Sequence, residues 1–298
     1  MMTERQSRFH EGIRLYVITG ANYHPGRTLA DVMEQTLIGG ADIIQLRDKT
    51  ASQRELLEQA RVLRELTKRY GVPLIINDYI DIALEVGADG VHLGQDDRSL
   101  AEARERLGQD AIIGISTHQL LHALTAQAGG ADYIGVGPVY PTGTKPGKAA
   151  VTTNYVTEAA ASVKIPFVAI GGITLDNVDT VLAAGATRVC AVSAVVGAPD
   201  PAAVCRSFKE WIAAADTARI AGRAFFAAEG SVIVSVNVNG KATRTAARSV
   251  LELVREHGLE NRRMVVELDG EIVERAAWER TPIRDGAAVE LVHFVGGG

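Results

Sequence analysis

The stretch Tyr133–Gly147, YIGVGPVYPTGTKPG, gathers residue types that hold anions. It opens on the β-formers Tyr133, Ile134, Val136 and Val139, with glycines between them that leave little side-chain bulk. It then breaks into a run of glycine, proline, threonine and lysine. Free backbone N–H groups, the hydroxyls of Thr142 and Thr144, and the cations Lys145 and Lys148 are the donors that phosphate oxygens take. The order G-x-x-x-x-G-K-[ST] is absent and the hydroxyls precede the lysine, so this is not a P-loop. The same composition also describes an ordinary Gly/Pro surface turn, and the rest of the chain decides between the two readings.

Elsewhere, polar residues cluster just after short apolar runs. Gln45, Arg47, Asp48 and Lys49 follow one; Asn77 and Asp78 the next; Gln95, Asp96 and Asp97 another; Ser116, Thr117 and His118 another; Gly171-Gly172 and Ser193 the last two. Arg47, Lys49 and Lys145 are cations able to share one cavity. Asp78 and Asp97 are carboxylates without histidine or thiolate companions. A few hard oxygen ligands beside phosphate-binding cations suit Mg²⁺, which keeps waters and takes substrate phosphates as further ligands. That chemistry points to a magnesium-bridged pyrophosphate, with the glycine pair and Ser193 forming a second, monophosphate site. Singly, each residue has a plainer reading. Asp48 and Asp96 read as solvated, Ser193 as structural, His92 as a satisfied core residue, and His118 as a cap or surface group. It is the set, at one end of successive strands, that points to a site.

The elements that must carry these residues recur. Gly39-Gly40-Ala41-Asp42, Gly87-Ala88-Asp89-Gly90, Gly129-Gly130-Ala131-Asp132 and Gly185-Ala186-Thr187-Arg188 each end a helical pattern and lead into an apolar strand. Further strands are expected at Leu15–Thr19, Pro73–Asp78, Ile112–Thr117 and Pro166–Ile173. This makes eight strands, about 25 residues apart, the length of a βα unit. Between them Leu56, Leu57, Ala60, Leu63 and Leu66 follow the helical period. Near-continuously apolar strands alternating with helices predict a parallel sheet covered by helices, with a (β/α)8 TIM barrel over residues 1–215 as the leading architecture. An open doubly wound sheet ranks second, because no G-x-G-x-x-G follows the first strand. Residues 216–230 read as a helix end and linker. Residues 231–298 change grammar: alternating valines from Val232 to Val238, Asn239-Gly240 and Asp269-Gly270 turns, a helix over Ala246–His257, and strands at Met264–Leu268 and Val289–Val295. This predicts a small α+β domain.

Bulk properties narrow the function. The chain has 298 residues, 47% hydrophobic and 22% charged, enough for a sizeable core. A net charge of −5 argues against nucleic-acid binding by bulk charge. The polar N-terminus has no signal-peptide core and no apolar run reaches membrane-spanning length, so the cytoplasm is the expected compartment. Cys190 and Cys205 have no metal or redox spacing.

Gln45-Leu46-Arg47-Asp48-Lys49, Asn77-Asp78, Gly94-Gln95-Asp96-Asp97, Gly114-Ile115-Ser116, the Gly135–Lys145 run and Ile170-Gly171-Gly172 resemble thiamine phosphate synthase in order and spacing, over about residues 14–214. The resemblance implies that hydroxymethylpyrimidine pyrophosphate is joined to a thiazole phosphate with release of pyrophosphate. By matching position it implies that Gln45, Leu46, Arg47, Asp48, Lys49, Asn77, Ser116 and Lys145 hold the pyrimidine pyrophosphate. Asp78 and Asp97 would hold Mg²⁺. Thr142, Gly143, Thr144, Gly172, Val192 and Ser193 would hold the thiazole phosphate. Arg47, Lys49 and Lys145 would stabilise the departing charge. The thiazole tautomerase, a related barrel, lacks the pyrophosphate substrate; the intact Gln45/Arg47/Lys49 and Thr142/Thr144/Lys145 sets favour the synthase.

Val236–Gly240, Glu267–Val273, Thr281–Gly286 and the terminal glycines resemble the ubiquitin-like (β-grasp) sulfur carrier of thiamine biosynthesis. That resemblance implies adenylation of Gly298 by a partner enzyme, conversion to a thiocarboxylate, and delivery of sulfur to thiazole synthase. The competing expectation is a tautomerase-like barrel with a β-grasp module that only docks.

Overall fold

The computed structural model describes residues 9, 11–142, 150–228, 234–245, 247–260 and 264–293. Eight parallel strands close in chain order: β1 (Leu15–Ile18), β2 (Ile43–Leu46), β3 (Leu74–Asn77), β4 (Gly90–Leu93), β5 (Ile112–Thr117), β6 (Tyr133–Val136), β7 (Phe167–Ile170) and β8 (Val189–Ala191). Closure is direct, with Tyr16 of β1 paired to Ile43 on one side and to Cys190 on the other. The helices between them are α1 (Leu29–Ile38), α2 (Gln53–Tyr70), α3 (Ile80–Val86), α4 (Leu100–Leu107), α5 (Leu120–Ala128), α6 (Thr152–Ser162), α7 (Val178–Ala183) and the short α8 (Ser193–Val196). The longest, α2, begins at a Ser52/Glu55 capping box and ends at left-handed Gly71.

The apolar strands are explained by burial on both faces. Leu15, Val17, Ile44, Leu46, Leu74, Ile76, Val91, Ile113, Ile134 and Val189 pack outward in one core with the helices. Tyr16, Ile18, Ile43, Ile75, Ile112, Tyr133, Val168 and Cys190 belong to a second core inside the barrel, completed by Phe9 and Ile13 from before β1. Phe9 is fully buried, and its ring stacks on Tyr133 at 4.3 Å between centroids. The polar N-terminal stretch therefore contributes an apolar residue to the barrel interior, as an eight-stranded barrel needs its interior filled.

The Gly-Ala-Asp repeat has a structural role. Asp42 accepts from the Arg14 and Leu15 N–H groups at 2.9 and 2.8 Å and pairs with Lys209. Asp89 accepts from the Leu74 N–H at 2.9 Å and pairs with Arg64; Asp132 accepts from the Ile113 N–H at 2.7 Å and pairs with Arg104. Each carboxylate accepts from an N–H at the start of the preceding strand and takes a cation from a helix. The fourth repeat replaces aspartate with Thr187-Arg188, and the carboxylate comes instead from Asp216, which pairs with Arg14 and Arg219. Asp216 and Arg219 lie on α9 (Pro201–Ala228), which continues as helix through most of the segment read from sequence as a linker. Alanine-rich and free of proline after its first residue, that segment has the composition to stay helical. Contacts divide the chain into Met1–Arg219 and Ile220–Gly298. Among the described residues no helix is long and apolar enough to cross a membrane. Cys190 and Cys205 are both buried, and burial pushes the Cys205 thiol up to about 12.

The second unit forms a five-stranded sheet in the order β10-β9-β13-β11-β12, from β9 (Val234–Val238), β10 (Lys241–Thr245), β11 (Met264–Leu268), β12 (Glu271–Val273) and β13 (Ala288–His293). The two hairpins turn at Asn239-Gly240 and Asp269-Gly270, all four residues at positive φ, as a type I′ turn requires. Helix α10 (Val250–Glu256) buries Val250, Leu253 and Val254 in a core with Val236, Val266, Trp278, Val289 and Leu291. Strand β13 runs parallel to β9 in the middle of the sheet, the β-grasp arrangement. Strand β12 was not expected from sequence, because only Val273 of its three residues packs toward the core.

Breaking the Asp132–Arg104 pair leaves a largely buried guanidinium without its counter-charge and the buried Ile113 N–H without its acceptor. Asp132→Ala should lower unfolding stability by about 3 kcal/mol in urea denaturation. Asp110→Ala, at an exposed position, should change it by less than about 0.5 kcal/mol. A loss at Asp132 no larger than at Asp110 would remove the anchoring role.

Candidate active site

The inward positions at the upper ends of the strands are polar. Gln45, Asn77, His92 and Ser116 line a cavity continued by Arg47, His118, Thr142, Gly172, Ile173, Val192 and Ser193. Its floor is a run of buried hydrogen bonds. The Gln45 amide Nε2–H donates to the Tyr16 hydroxyl at 2.8 Å; the hydroxyls of Tyr16 and Tyr133 are 2.9 Å apart. His92 Nδ1 lies 2.9 Å from the Tyr133 hydroxyl and Nε2 lies 2.9 Å from Ser116 Oγ. Burial raises both phenols above the ordinary tyrosine value, so they stay protonated. Gly114 makes room for this layer: a Cβ there would sit 2.0 Å from the Tyr133 ring. The reading of His92 as a hydrogen-bonded interior residue fits this geometry.

Charge collects at the rim. Thr19 fixes the end of β2, exchanging hydrogen bonds with the Arg47 N–H at 2.8 Å and the Arg47 carbonyl at 3.0 Å. The Arg47 Nε is buried and has no hydrogen-bond partner among the described residues. Burial lowers the Arg47 pKa, and Asp78 opposes that change more than Tyr23 or Asp48 does. Asp78 takes a left-handed backbone, φ 65°, and its N–H donates to the His92 carbonyl at 2.9 Å. Its carboxylate accepts from Lys49. Burial raises the Asp78 pKa; Lys49 pulls the other way, and the neighbouring Asp97 carboxyl adds to the rise. Asp97 also accepts from the Gly94 N–H at 2.6 Å. Two neighbouring carboxyls, one of them paired with Lys49, beside Arg47 fit a hard divalent cation that carries phosphate ligands.

The other residues singled out from sequence are placed differently. Leu46 points outward into the helix-facing core. Asp48 builds the loop into α2: it accepts from the Thr50 N–H and hydroxyl, the Ala51 N–H and Gln59. Burial acts to raise its pKa, but those hydrogen bonds outweigh it and hold the carboxyl below its ordinary range. Asp48 is thus hydrogen-bonded within its loop rather than simply solvated. His118 is neither cap nor surface group; it is half-buried on the cavity wall with Nδ1 2.6 Å from the Gly137 carbonyl. Gly171 and Gly172 have φ of 102° and 65°, and a Cβ on Gly172 would meet the Pro141 carbonyl at 2.8 Å. The pair therefore lets the strand-6 loop press against strand 7. Gly143, Thr144 and Lys145 lie outside the described residues, as does Gly298. Sequence reasoning missed Tyr16 and Tyr133, although their signal is the two-residue alternation that turns them inward beside Gln45 and His92.

The family model described as thiamine monophosphate synthase matches residues 15–195, and the ThiS family model matches residues 234–298. A thiamine-phosphate synthase of Halalkalibacterium halodurans is 58% identical over 196 residues, 65% of this chain and 93% of that one. One from Chloroflexus aurantiacus is 48% identical over 197 residues, 66% of this chain and 91% of that one. The solved thiamine phosphate pyrophosphorylase from Pyrococcus furiosus superposes with a TM-score of 0.63 at 37% identity, covering 68% of this chain and 96% of that one. These matches fall on the barrel and favour the synthase expectation over the tautomerase one. The chain belongs to the thiamine monophosphate synthase family and carries a ThiS-family domain at its C-terminal end.

Proposed function

We propose that the barrel joins hydroxymethylpyrimidine pyrophosphate to a thiazole phosphate and releases pyrophosphate, and that the last domain carries sulfur for thiazole synthesis. The observation that carries the barrel reading is the rim: the facing Asp78–Asp97 carboxyls beside Arg47, whose buried Nε has no partner among the described residues, at the mouth of a polar-floored cavity. In this reading the bond from the pyrimidine methylene carbon to the pyrophosphate oxygen breaks, and the thiazole nitrogen supplies the electron pair for the new C–N bond. The step needs charge neutralisation at the leaving group more than it needs a base. Arg47 and Lys145 donate to the departing pyrophosphate. Lys49 shares Asp78 and can turn to a phosphate oxygen. Asp78 and Asp97 hold Mg²⁺, which supplies Lewis-acid neutralisation of the pyrophosphate. Gln45, Asn77 and Ser116 take the pyrimidine side; Leu46 and Asp48 support that wall from behind. Thr142, Gly143, Thr144, Gly172, Val192 and Ser193 hold the thiazole phosphate and so fix the nucleophile's approach.

In the carrier domain, a tail of three glycines is thin enough to enter a partner's active site. An ATP-dependent partner adenylates the Gly298 carboxylate, sulfur replaces the adenylate, and thiazole synthase receives it. We assign both activities to the cytoplasm, and we take the units to fold separately around α9.

Asp78→Asn and Asp97→Asn should each raise the magnesium concentration needed for half-maximal rate by about ten- to a hundredfold, at unchanged stability. An unchanged magnesium dependence in both would remove the metal assignment. Lys145→Ala should lower kcat by about 10²; a rise only in the KM for the thiazole phosphate would move Lys145 to the other anion site. Intact-mass spectrometry with the adenylating partner, ATP and a sulfur donor should show one oxygen exchanged for sulfur. Deleting Gly297 and Gly298 should abolish the exchange while pyrophosphate release survives. A full-length chain that is never modified would leave the domain as a docking module.

A further inference from the structure

The cavity floor connects two substrate-facing groups through three that do not need to touch substrate. Gln45 and Ser116 stand at its ends; Tyr16, Tyr133 and His92 lie between. Distance alone leaves the donor open at the Tyr16–Tyr133, Tyr133–His92 and His92–Ser116 contacts; the Gln45 Nε2–H on Tyr16 orders them when every proton of the run is used in a hydrogen bond. Tyr16 accepts from the Gln45 Nε2–H, so its single proton goes to the Tyr133 oxygen 2.9 Å away. The Tyr133 proton is then directed at His92 Nδ1, which must be an unprotonated acceptor. A neutral imidazole with a bare Nδ1 carries its proton on Nε2, and that N–H donates to Ser116 Oγ. The Ser116 hydroxyl hydrogen is left for the cavity, as is the carbonyl oxygen of Gln45.

We infer that Tyr16, Tyr133 and His92 are positioning residues that polarise this layer in one direction, so that the cavity presents an acceptor at Gln45 and a donor at Ser116. The reverse direction would turn the Gln45 amide over and spend the Ser116 proton on His92. The cavity would then offer serine lone pairs below a rim built for anions. This second argument rests on the pyrophosphate reading given above; the hydrogen-bond geometry does not. Packing keeps the layer in register, since Phe9 stacks on the Tyr133 ring and Gly114 leaves no side chain beside it. A polarised floor also defines which ring edge is accepted. An edge with an amino donor matches the Gln45 carbonyl, whereas an oxo group in the same place meets an acceptor with an acceptor.

The test is the histidine tautomer in the full chain without substrate. Long-range ¹H–¹⁵N spectra of protein labelled at histidine, with His92 assigned by its loss in His92→Asn, should show the neutral Nε2–H form at neutral pH. An Nδ1–H tautomer or an imidazolium at His92 would overturn the inference. Tyr133→Phe, checked for native stability, should mix the two tautomers and raise the KM for the pyrimidine pyrophosphate about tenfold. A Tyr133→Phe protein with both unchanged would also overturn it. The spectrum reports on the free protein, so failure of the synthase reading would appear separately, as absent pyrophosphate release with the expected tautomer intact.

Discussion

An eight-stranded barrel has to be filled, and here the filling changes character partway up. Below the Tyr133 hydroxyl the interior is Phe9, Ile13, Ile43, Ile75 and Ile112; above it are Gln45, Asn77, His92 and Ser116. The tyrosine ring belongs to the apolar layer and its hydroxyl to the polar one. A buried hydroxyl without a partner would cost roughly 1–3 kcal/mol, so the phenols of Tyr16 and Tyr133, His92 and Gln45 satisfy one another. The cavity floor is the upper surface of that arrangement. Its polarity depends on a core that closes it off from below.

The two ends of the barrel use charge for different purposes. At the lower end Asp42, Asp89 and Asp132 each have a strand N–H and a helix cation as partners, although the Arg64 Nε, beside Asp89, is buried with no hydrogen-bond partner among the described residues. At the upper end the same residue types are arranged with partners incomplete or opposed. The Arg47 Nε is likewise buried with no hydrogen-bond partner among the described residues, and what sets this end apart is that Asp78 faces a second carboxyl, Asp97, with Lys49 as counter-charge. Matched charge stabilises; mismatched charge in a shielded place is what a charged ligand can relieve. That contrast sets the upper rim apart from the anchoring one, independently of any resemblance.

Much of this was legible in the sequence because it follows from periodicity. Eight apolar runs alternating with helical patterns, four of them after a glycine stop, are a barrel's signature, and polar residues after those runs fall at the C-terminal rim because strand direction puts them there. What was not legible depends on distance in the fold. The Gly-Ala-Asp phrase reads as punctuation until Asp132 is seen against the Ile113 N–H and Arg104. Phe9 sits in a polar stretch and reveals its role only by stacking on Tyr133. His118 looks like a helix-start residue, but the Gly137 carbonyl holds it on the cavity wall. Asp48 stands among site residues in sequence and turns aside to Thr50 and Gln59. The segment after Ala215 stays helical to Ala228 because its alanines favour the helix and its loss of amphipathic pattern does not end one.

In the proposed reaction the rim holds a pyrophosphate until a nucleophile displaces it. The most direct measurement is pyrophosphate release by the intact chain with magnesium and hydroxymethylpyrimidine pyrophosphate, with and without the thiazole phosphate. Release is expected only with both substrates present, one thiamine phosphate formed per pyrophosphate. No release with both substrates, or equal release without the thiazole phosphate, would contradict it.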